Sequence, residues 1–346
     1  MIESVLHYTD ATPVRLLLAV LLLPLLYGIK RIFLKRAERL SYPNEAILIT
    51  GCDSGIGLEL AKYSYRYTRF TVICGFLDTT SEGFQQLSDI RSTNDDGRLF
   101  LEVLDITNDL HIRKMLEKIQ VMTQSGKIRH LFSVINNAGI LTYGELDWLT
   151  CKQVQEQINV NLVGTIQLTR SMVPLIIESK GRIINISSVN DSTVFPGLSV
   201  YSATKSAIST FSRGLGYELR KFGAHVVTIR LGDFARLTNI MANHSVNRDM
   251  MWQEMASEKR DLYKDYFDQF NSHLMENYGM TSPKNFNDSN FFKDFRLALL
   301  SDEPPTTITC APLMFRIFYF VNELLPVACQ YRLLDLMLHF AFRWKT

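Results

Sequence analysis

Residues 46–57, Ala-Ile-Leu-Ile-Thr-Gly-Cys-Asp-Ser-Gly-Ile-Gly, pass from a short apolar run through three glycines into a helical pattern that continues to about Tyr67. An apolar run closed by Gly51, Gly55 and Gly57 and followed at once by helical periodicity predicts a strand, a tight turn and a helix. Glycine lets the turn bend sharply and approach a ligand, and the helix that follows offers its positive N-terminal end. The unit is therefore expected to hold a pyrophosphate, with Gly51, Asp53, Ser54, Gly55, Ile56 and Gly57 around it. As a bare spacing, Gly-x-x-x-Gly-x-Gly is a weak pattern; its place directly after a strand gives it meaning.

Further apolar runs repeat the arrangement. Strands are expected near 46–50, 70–76, 98–104, 130–135, 182–187 and 225–230, with helical stretches between them, the long ones at 150–179 and 200–222. Strands alternating with helices imply right-handed crossovers and an α/β fold with a doubly wound, Rossmann-like parallel sheet in a single domain. Ligands then bind beyond the carboxyl ends of the strands, where Gly51, Asp105, Asn136 and Ser188 all fall.

Tyr201 and Lys205, in Tyr-Ser-Ala-Thr-Lys, stand four apart in a helical stretch and so share a face, one turn from each other. A phenol carries protons poorly at neutral pH unless a nearby cation favours the phenolate, and Lys205 is placed to supply that charge. A glycine turn followed by Tyr-x-x-x-Lys resembles the short-chain dehydrogenase/reductase family, whose other motifs follow in order. Asn136-Asn137-Ala138-Gly139 comes after the apolar run 131–135, and Asn161 lies in Asn-Val-Asn-Leu-Val-Gly. Ser188 ends Ile-Ile-Asn-Ile-Ser-Ser, thirteen residues before Tyr201, and Asp105 lies in Leu-Asp-Ile-Thr. The resemblance covers about residues 44–240. Within it, Thr-Gly-Cys-Asp-Ser-Gly and the stretch Ser-Arg-Gly-Leu-Gly-Tyr-Glu-Leu-Arg at 212–220 are similar to the retinol and hydroxysteroid dehydrogenase branch, which also contains hydroxybutyrate dehydrogenase. The chain departs from that branch at 230–238, Arg-Leu-Gly-Asp-Phe-Ala-Arg-Leu-Thr. Leu231 takes the place of a proline there, and the usual threonine is displaced or replaced by Arg236.

The resemblance implies hydride transfer between a carbinol carbon and a nicotinamide. Tyr201 would exchange the hydroxyl proton, Lys205 would lower its pKa and hold the nicotinamide ribose, Ser188 would orient the substrate oxygen and Asn161 would position a water relay. Asn137, Ala138 and Gly139 would line the cofactor, and Asp105 would contact adenine. An acid after the second strand serves the ribose of NAD, and Asp78 stands twenty-one positions after Gly57 with no Lys or Arg between Thr71 and Ser81. NAD is therefore the expected cofactor. Phe76 holds the position at which the family carries its acid, so NADP stays open.

A sheet of this kind needs only about 250 of the 346 residues. The expected division is an anchor and basic linker at 1–43, the catalytic core at 44–240, and a lid with a membrane-associated extension at 241–346. Every residue from Leu16 to Ile29 is apolar or Gly, Pro or Tyr. Alone this stretch makes about 21 Å of helix against a hydrocarbon core of about 30 Å; carried on to Leu34, with its flanking cations snorkelling, it comes close to spanning. The cluster Lys30, Arg31, Lys35, Arg36 and Arg39 follows it in place of a cleavage site, which predicts an endoplasmic reticulum membrane enzyme whose catalytic domain faces the cytosol. Spanning and lying in the interface both remain open.

Between Ser188 and Tyr201 the chain offers Asp191, Val194, Phe195 and Leu198 but no Lys, Arg or His, so a small carboxylate would lack a partner. A lipophilic neutral alcohol, a steroid or sterol or a retinoid, fits better. The aromatic stretch 241–300 reads as a helical lid or as a plain surface helix pair, and 311–344 as interfacial helices or an entry rim. A hydroxybutyrate-type enzyme and a nucleotide-binding membrane scaffold without turnover are the alternatives, and a homo-oligomer is possible. A net charge of +2 with no basic stripe excludes a nucleic-acid binder. Five cysteines without Cys-x-x-Cys spacing argue against zinc and disulfides and for a reducing compartment.

Overall fold

In the computed structural model, β1 (Glu45–Thr50) is buried along its whole length and feeds two separate cores. Ile47 and Ile49 enter one apolar cluster, Ala46 and Leu48 the other. Alternation of this kind on a fully buried strand requires a sheet covered on both faces. Residues 37–94, 96–235, 238–278 and 289–342 are described; the apolar stretch 16–34 lies outside them. Two units are distinguished, Leu40–Leu300 with Pro304 onward, and a small one in which Glu38 bridges Ser301.

All the strand pairings of the sheet are parallel and the order is β3-β2-β1-β4-β5-β6-β7. The expected strands appear within one residue of their predicted ends: β2 Thr71–Phe76, β3 Leu99–Val103, β4 His130–Asn136, β5 Arg182–Ser188 and β6 His225–Leu231. On one face lie α1 (Gly55–Tyr67), α2 (Glu82–Thr93) and α9 (Ser289–Leu300), which contribute Leu60, Leu87, Phe291 and Phe295. The other face is covered by α3 (Asp109–Gln124), α5 (Thr165–Glu178) and α6 (Ser199–Leu219), with Ile119, Met172 and Leu215. Each such side chain, fully buried, contributes about 1.5–3 kcal/mol.

The seventh strand, β7 (Thr307–Cys310), extends the sheet beyond β6, and Arg182 donates to the Ala298 carbonyl at the end of α9 (2.8 Å). The segment assigned from sequence to lid and extension thus includes α9 and β7, which belong to the sheet and its core. What remains is α7 (His244–Glu254) with α8 (Ser257–Tyr278), and α10 (Leu313–Leu324) with α11 (Val327–Phe342). A third apolar cluster joins Met251, Phe267 and Phe270 of α7 and α8 to Trp148, in the loop after β4.

Among the described residues, the stretch Cys151–Glu178 alone is long and apolar enough to cross a membrane. It is α4 (Cys151–Ile158), a π-helical turn (Asn159–Gly164) and α5 in one rod, whose α5 part packs on β4 while α4 lies against α6. Leu168, Met172 and Ile176 of its α5 part enter the core of the domain.

Candidate active site

The chain order reverses at β1 and β4, and the strand ends there are clasped together. Thr50 Oγ1 accepts hydrogen bonds from the backbone N–H groups of Asn137 and Ala138, each at 3.0 Å. Asn137 Nδ2 returns to the carbonyls of Thr50 (2.9 Å) and Gly51 (3.2 Å). This clasp opens the crevice in which doubly wound sheets bind their ligands.

The glycine turn fits a dinucleotide. Gly51 and Gly55 have φ of +68° and +55°, and a Cβ on Gly57 would stand 2.1 Å from the Gly51 carbonyl oxygen. Ser54, the residue before α1, makes no capping hydrogen bond, so the first-turn N–H groups are left to an anion. Ile56 packs against the core, and Thr238, displaced from the family's spacing, lies 3.2 Å from where a Gly55 Cβ would be. Arg236 lies outside the described residues.

The expected acids do other local work. Asp53 accepts from the backbone N–H groups of Leu77 and Asp78 and so ties the glycine turn to the end of β2. Asp78 is exposed, and its carboxylate closes a turn on the Thr80 hydroxyl (2.6 Å) and N–H (2.8 Å), bonds that hold it below the usual carboxylate range. Asp105 shapes the loop after β3 by accepting from Thr107, while its own N–H donates to His111 Nδ1. Cys52 is buried next to Cys74, and burial raises its thiol well above the ordinary value, in keeping with packing and not reactivity.

Across the crevice, β5 and α6 bring Ser188, Tyr201 and Lys205 together. Ser188 hydrogen-bonds the Tyr201 phenol and lies 3.4 Å from the Leu231 carbonyl. Lys205 Nζ sits 5.6 Å from the centroid of the Tyr201 ring and donates to the Ile186 carbonyl at 3.1 Å. A Cβ on Gly139 would meet Asn161 Oδ1 at 3.2 Å and Lys205 Nζ at 3.6 Å, so both line the same small space beside that glycine. Asn161 comes from the π-helical turn, a feature frequent at functional sites.

Burial dominates the electrostatics. It pushes the Tyr201 phenol up to about 12, with the Ser188 hydrogen bond pulling the other way. It brings the Lys205 ammonium down to about 8, against the attraction of Asp191. In the protein alone, then, the phenol is raised, whereas the sequence led us to expect Lys205 to lower it. Desolvation wins because Nζ is turned to the Ile186 carbonyl and not to the phenol oxygen.

Several contributors escaped the sequence reading. Thr50 acts on residues 87 and 88 positions away, and Thr204 supports Asn161 across 43, separations that leave no local pattern. A buried ladder joins Thr169, Asn136, Asn185 and Ser212 through bonds of 2.9, 2.7 and 2.7 Å, which ties β4 and β5 to their helices. Arg230, at the end of β6, pairs with Asp191 and with Glu323 of α10, so the wall without a cation in its own sequence acquires one from elsewhere.

Proton-exchanging groups facing a turn built for a dinucleotide define the class: an NAD(P)-dependent oxidoreductase acting on CH–OH donors. The family model described as short chain dehydrogenase matches residues 45–249, and the chain belongs to the short-chain dehydrogenase/reductase family. Mitochondrial D-beta-hydroxybutyrate dehydrogenase of Rattus norvegicus is 31% identical over 245 residues, 69% of each chain. The 17-beta-hydroxysteroid dehydrogenase type 6 of Bos taurus is 32% identical over 264 residues, 76% of this chain and 80% of that one. For the type 2 enzyme of Homo sapiens the identity is 34% over 250 residues, and the match spans only 58% of its length. A short-chain dehydrogenase from Streptomyces avermitilis shares the fold, with a TM-score of 0.61 at 21% identity over 84% of this chain and 96% of the other.

Proposed function

We propose that the protein is a membrane-associated, NAD-dependent dehydrogenase of a lipophilic secondary or allylic alcohol, with a steroid or sterol favoured over a retinoid. The observation that carries this is the Ser188, Tyr201 and Lys205 cluster facing the glycine turn. Bound NAD supplies the hydride acceptor. Gly51, Ser54, Gly55, Ile56 and Gly57 would hold its pyrophosphate, Ala138 and Gly139 would border it, and Asp78 and Asp105 are assigned to its adenosine half.

Ser188 orients the substrate oxygen toward Tyr201 Oη, and Tyr201 takes the hydroxyl proton as the carbon is oxidised, or returns it in reduction. A phenol raised to about 12 by burial needs further positive charge before it can act as a base near neutrality. Lys205, which would hold the ribose of bound NAD, would supply part of it, and the cationic nicotinamide would supply the rest. Asn161 fixes the neighbouring peptide and positions the relay that returns the proton to solvent.

The steroid reading rests on the hydroxysteroid dehydrogenase relatives and on the chemistry of the wall. Arg230, the cation brought to that wall, is already paired with Asp191 and Glu323, which leaves a hydroxybutyrate carboxylate without a ready partner. Likeness to D-beta-hydroxybutyrate dehydrogenase keeps that substrate as the second reading. In support of membrane association, α10 exposes Leu313, Met314, Phe315, Ile317, Phe320 and Leu324, an apolar surface beyond what isolated exposed residues make. The α7 and α8 pair is assigned as the lid, and the endoplasmic reticulum, with the core facing the cytosol, as the site of action.

A reconstituted assay of NADH formation with steroids, sterols, retinol and hydroxybutyrate tests the proposal. Turnover is expected with the steroid class. Selective turnover of hydroxybutyrate would replace it with the second reading, and nucleotide binding without turnover of any alcohol would make the protein a scaffold.

A further inference from the structure

The first turns of α6 carry Tyr201 and Lys205, yet the helix starts without a cap: Leu198, the residue before it, makes no side-chain capping hydrogen bond. An uncapped helix start is prone to fray, because its first N–H groups lack partners. The hold comes from the side instead. Ser206, directly after Lys205, donates its hydroxyl to the Asp191 backbone carbonyl, and Ser209 Oγ donates to Asp191 Oδ2 at 2.5 Å. With the Ser209 proton committed to the carboxylate, Ser187 Oγ shares its own between Ser209 Oγ (3.0 Å) and the Lys205 carbonyl (3.2 Å).

Asp191 is fixed equally firmly to the other half of the site. Ser188, three residues earlier, accepts from the Asn190 N–H at 3.1 Å and so caps the short 3-10 turn Val189–Asp191. The Asp191 side chain is only 6% exposed and is held from the far side by Arg230, whose Nε donates to Oδ1 at 2.9 Å. Arg230 Nη2 also reaches Ser192 Oγ and Glu323 Oε1 of α10, each at 2.5 Å. An apolar pair could fill such a space at comparable stability. What the carboxylate adds is direction, one oxygen for Arg230 and one for Ser209, which an apolar side chain cannot supply.

We infer that Asp191 is a positioning residue for proton transfer: bonded to the turn that Ser188 caps and to Ser206 and Ser209 of α6, it fixes where Tyr201 Oη meets Ser188 Oγ. Arg230 and Glu323 hold the carboxylate in register. This deepens the proposed function and rests on its assignment of Ser188, Tyr201 and Lys205. A reacting group displaced by about 1 Å can lose 100-fold in rate, so the bonds of Asp191 act on kcat without touching substrate.

The test uses the full chain in bilayer nanodiscs with NAD and four probe alcohols: estradiol, cholesterol, retinol and 3-hydroxybutyrate. In the double variant Ser206→Ala/Ser209→Ala, kcat on whichever alcohol is turned over should fall by about tenfold or more with KM within about threefold, since the substrate still binds and only the phenol is misplaced. Amide exchange over 202–206 should speed up by about fivefold or more. Helix propensity predicts the reverse, because alanine is the better helix former. Ser206→Thr/Ser209→Thr keeps both hydroxyls while lowering propensity, and should stay within about threefold of wild type in kcat. Wild-type kcat in the alanine pair, or a loss that the threonine pair shares in full, overturns this inference alone. Absence of turnover on every probe overturns the proposed function, and exchange over 202–206 then decides the inference by itself: protection unchanged in the alanine pair overturns it, and protection lost there but kept in the threonine pair upholds it.

Discussion

Asn161 holds Ile140 by both halves of its backbone: Oδ1 accepts from the Ile140 N–H at 2.8 Å, and Nδ2 donates to the Ile140 carbonyl at 2.9 Å. Ile140 directly follows Gly139, so the side chain of the π-helical turn sets the path of the chain that borders Lys205. Asn161→Ala leaves both backbone groups unpaired at a part-buried position and is expected to destabilise the fold by about 2–4 kcal/mol, read from urea unfolding. Asn161→Asp sets a carboxylate against the Ile140 carbonyl and should be no milder.

The glycine turn gives a paired test. Gly57→Ala puts a methyl group 2.1 Å from the Gly51 carbonyl oxygen, and the turn must open to accept it. NAD affinity, followed by fluorescence titration, should drop by about tenfold or more, with a stability loss of about 1–3 kcal/mol. Gly214→Ala, in the exposed part of α6, meets nothing within 4 Å and should instead add about 1 kcal/mol.

Arg230 and Asp191 form an ion pair whose side chains are only 12% and 6% exposed. Arg230→Met strands the Asp191 charge and is expected to cost about 3–5 kcal/mol. The double variant with Asp191→Asn should recover most of that loss, since it removes the stranded charge as well. A thermal or urea double-mutant cycle checks this; full additivity would mean that the pair is not coupled.

Burial lowers the Lys205 pKa and so makes stability rise with pH. Below about pH 8 the folded and unfolded chains both hold the Lys205 proton; between about 8 and the ordinary 10.5 only the unfolded chain does. Unfolding then takes up a proton, and stability rises with pH by about 1.4 kcal/mol per unit across that window. Measured as the difference between wild type and Lys205→Met, which cancels the other titrating groups, the gain should appear above pH 8 and level off near 10.5. A flat difference would show that Lys205 is not desolvated.

Much of the fold was legible because β1 to β6 carry apolar runs that local periodicity reveals, each closed by a turn. β7 was not, since Thr307–Cys310 is four residues of mixed polarity far along the chain from β6, and only pairing with β6 makes it a strand. The chemistry-bearing residues stood out through their spacing: Ser188, Tyr201 and Lys205 do meet, at the ends of β5 and α6. Their electrostatics did not, because a sequence places Lys205 one turn from Tyr201 but gives neither the burial that raises the phenol nor the Ile186 carbonyl that holds Nζ. Arg230 was hidden in the same way. It lies 39 positions from Asp191, at the end of β6, and the wall between Ser188 and Tyr201 read as lacking a cation without it.

The most direct test of the account is NADH formation by wild type and Tyr201→Phe, on the steroid that the wild-type protein turns over, with NAD binding measured on both. The variant lacks only the phenol oxygen; NAD affinity should stay within about threefold, while kcat falls by about 100-fold or more at every pH. Turnover by Tyr201→Phe at the wild-type rate would contradict the assignment of proton transfer to Tyr201.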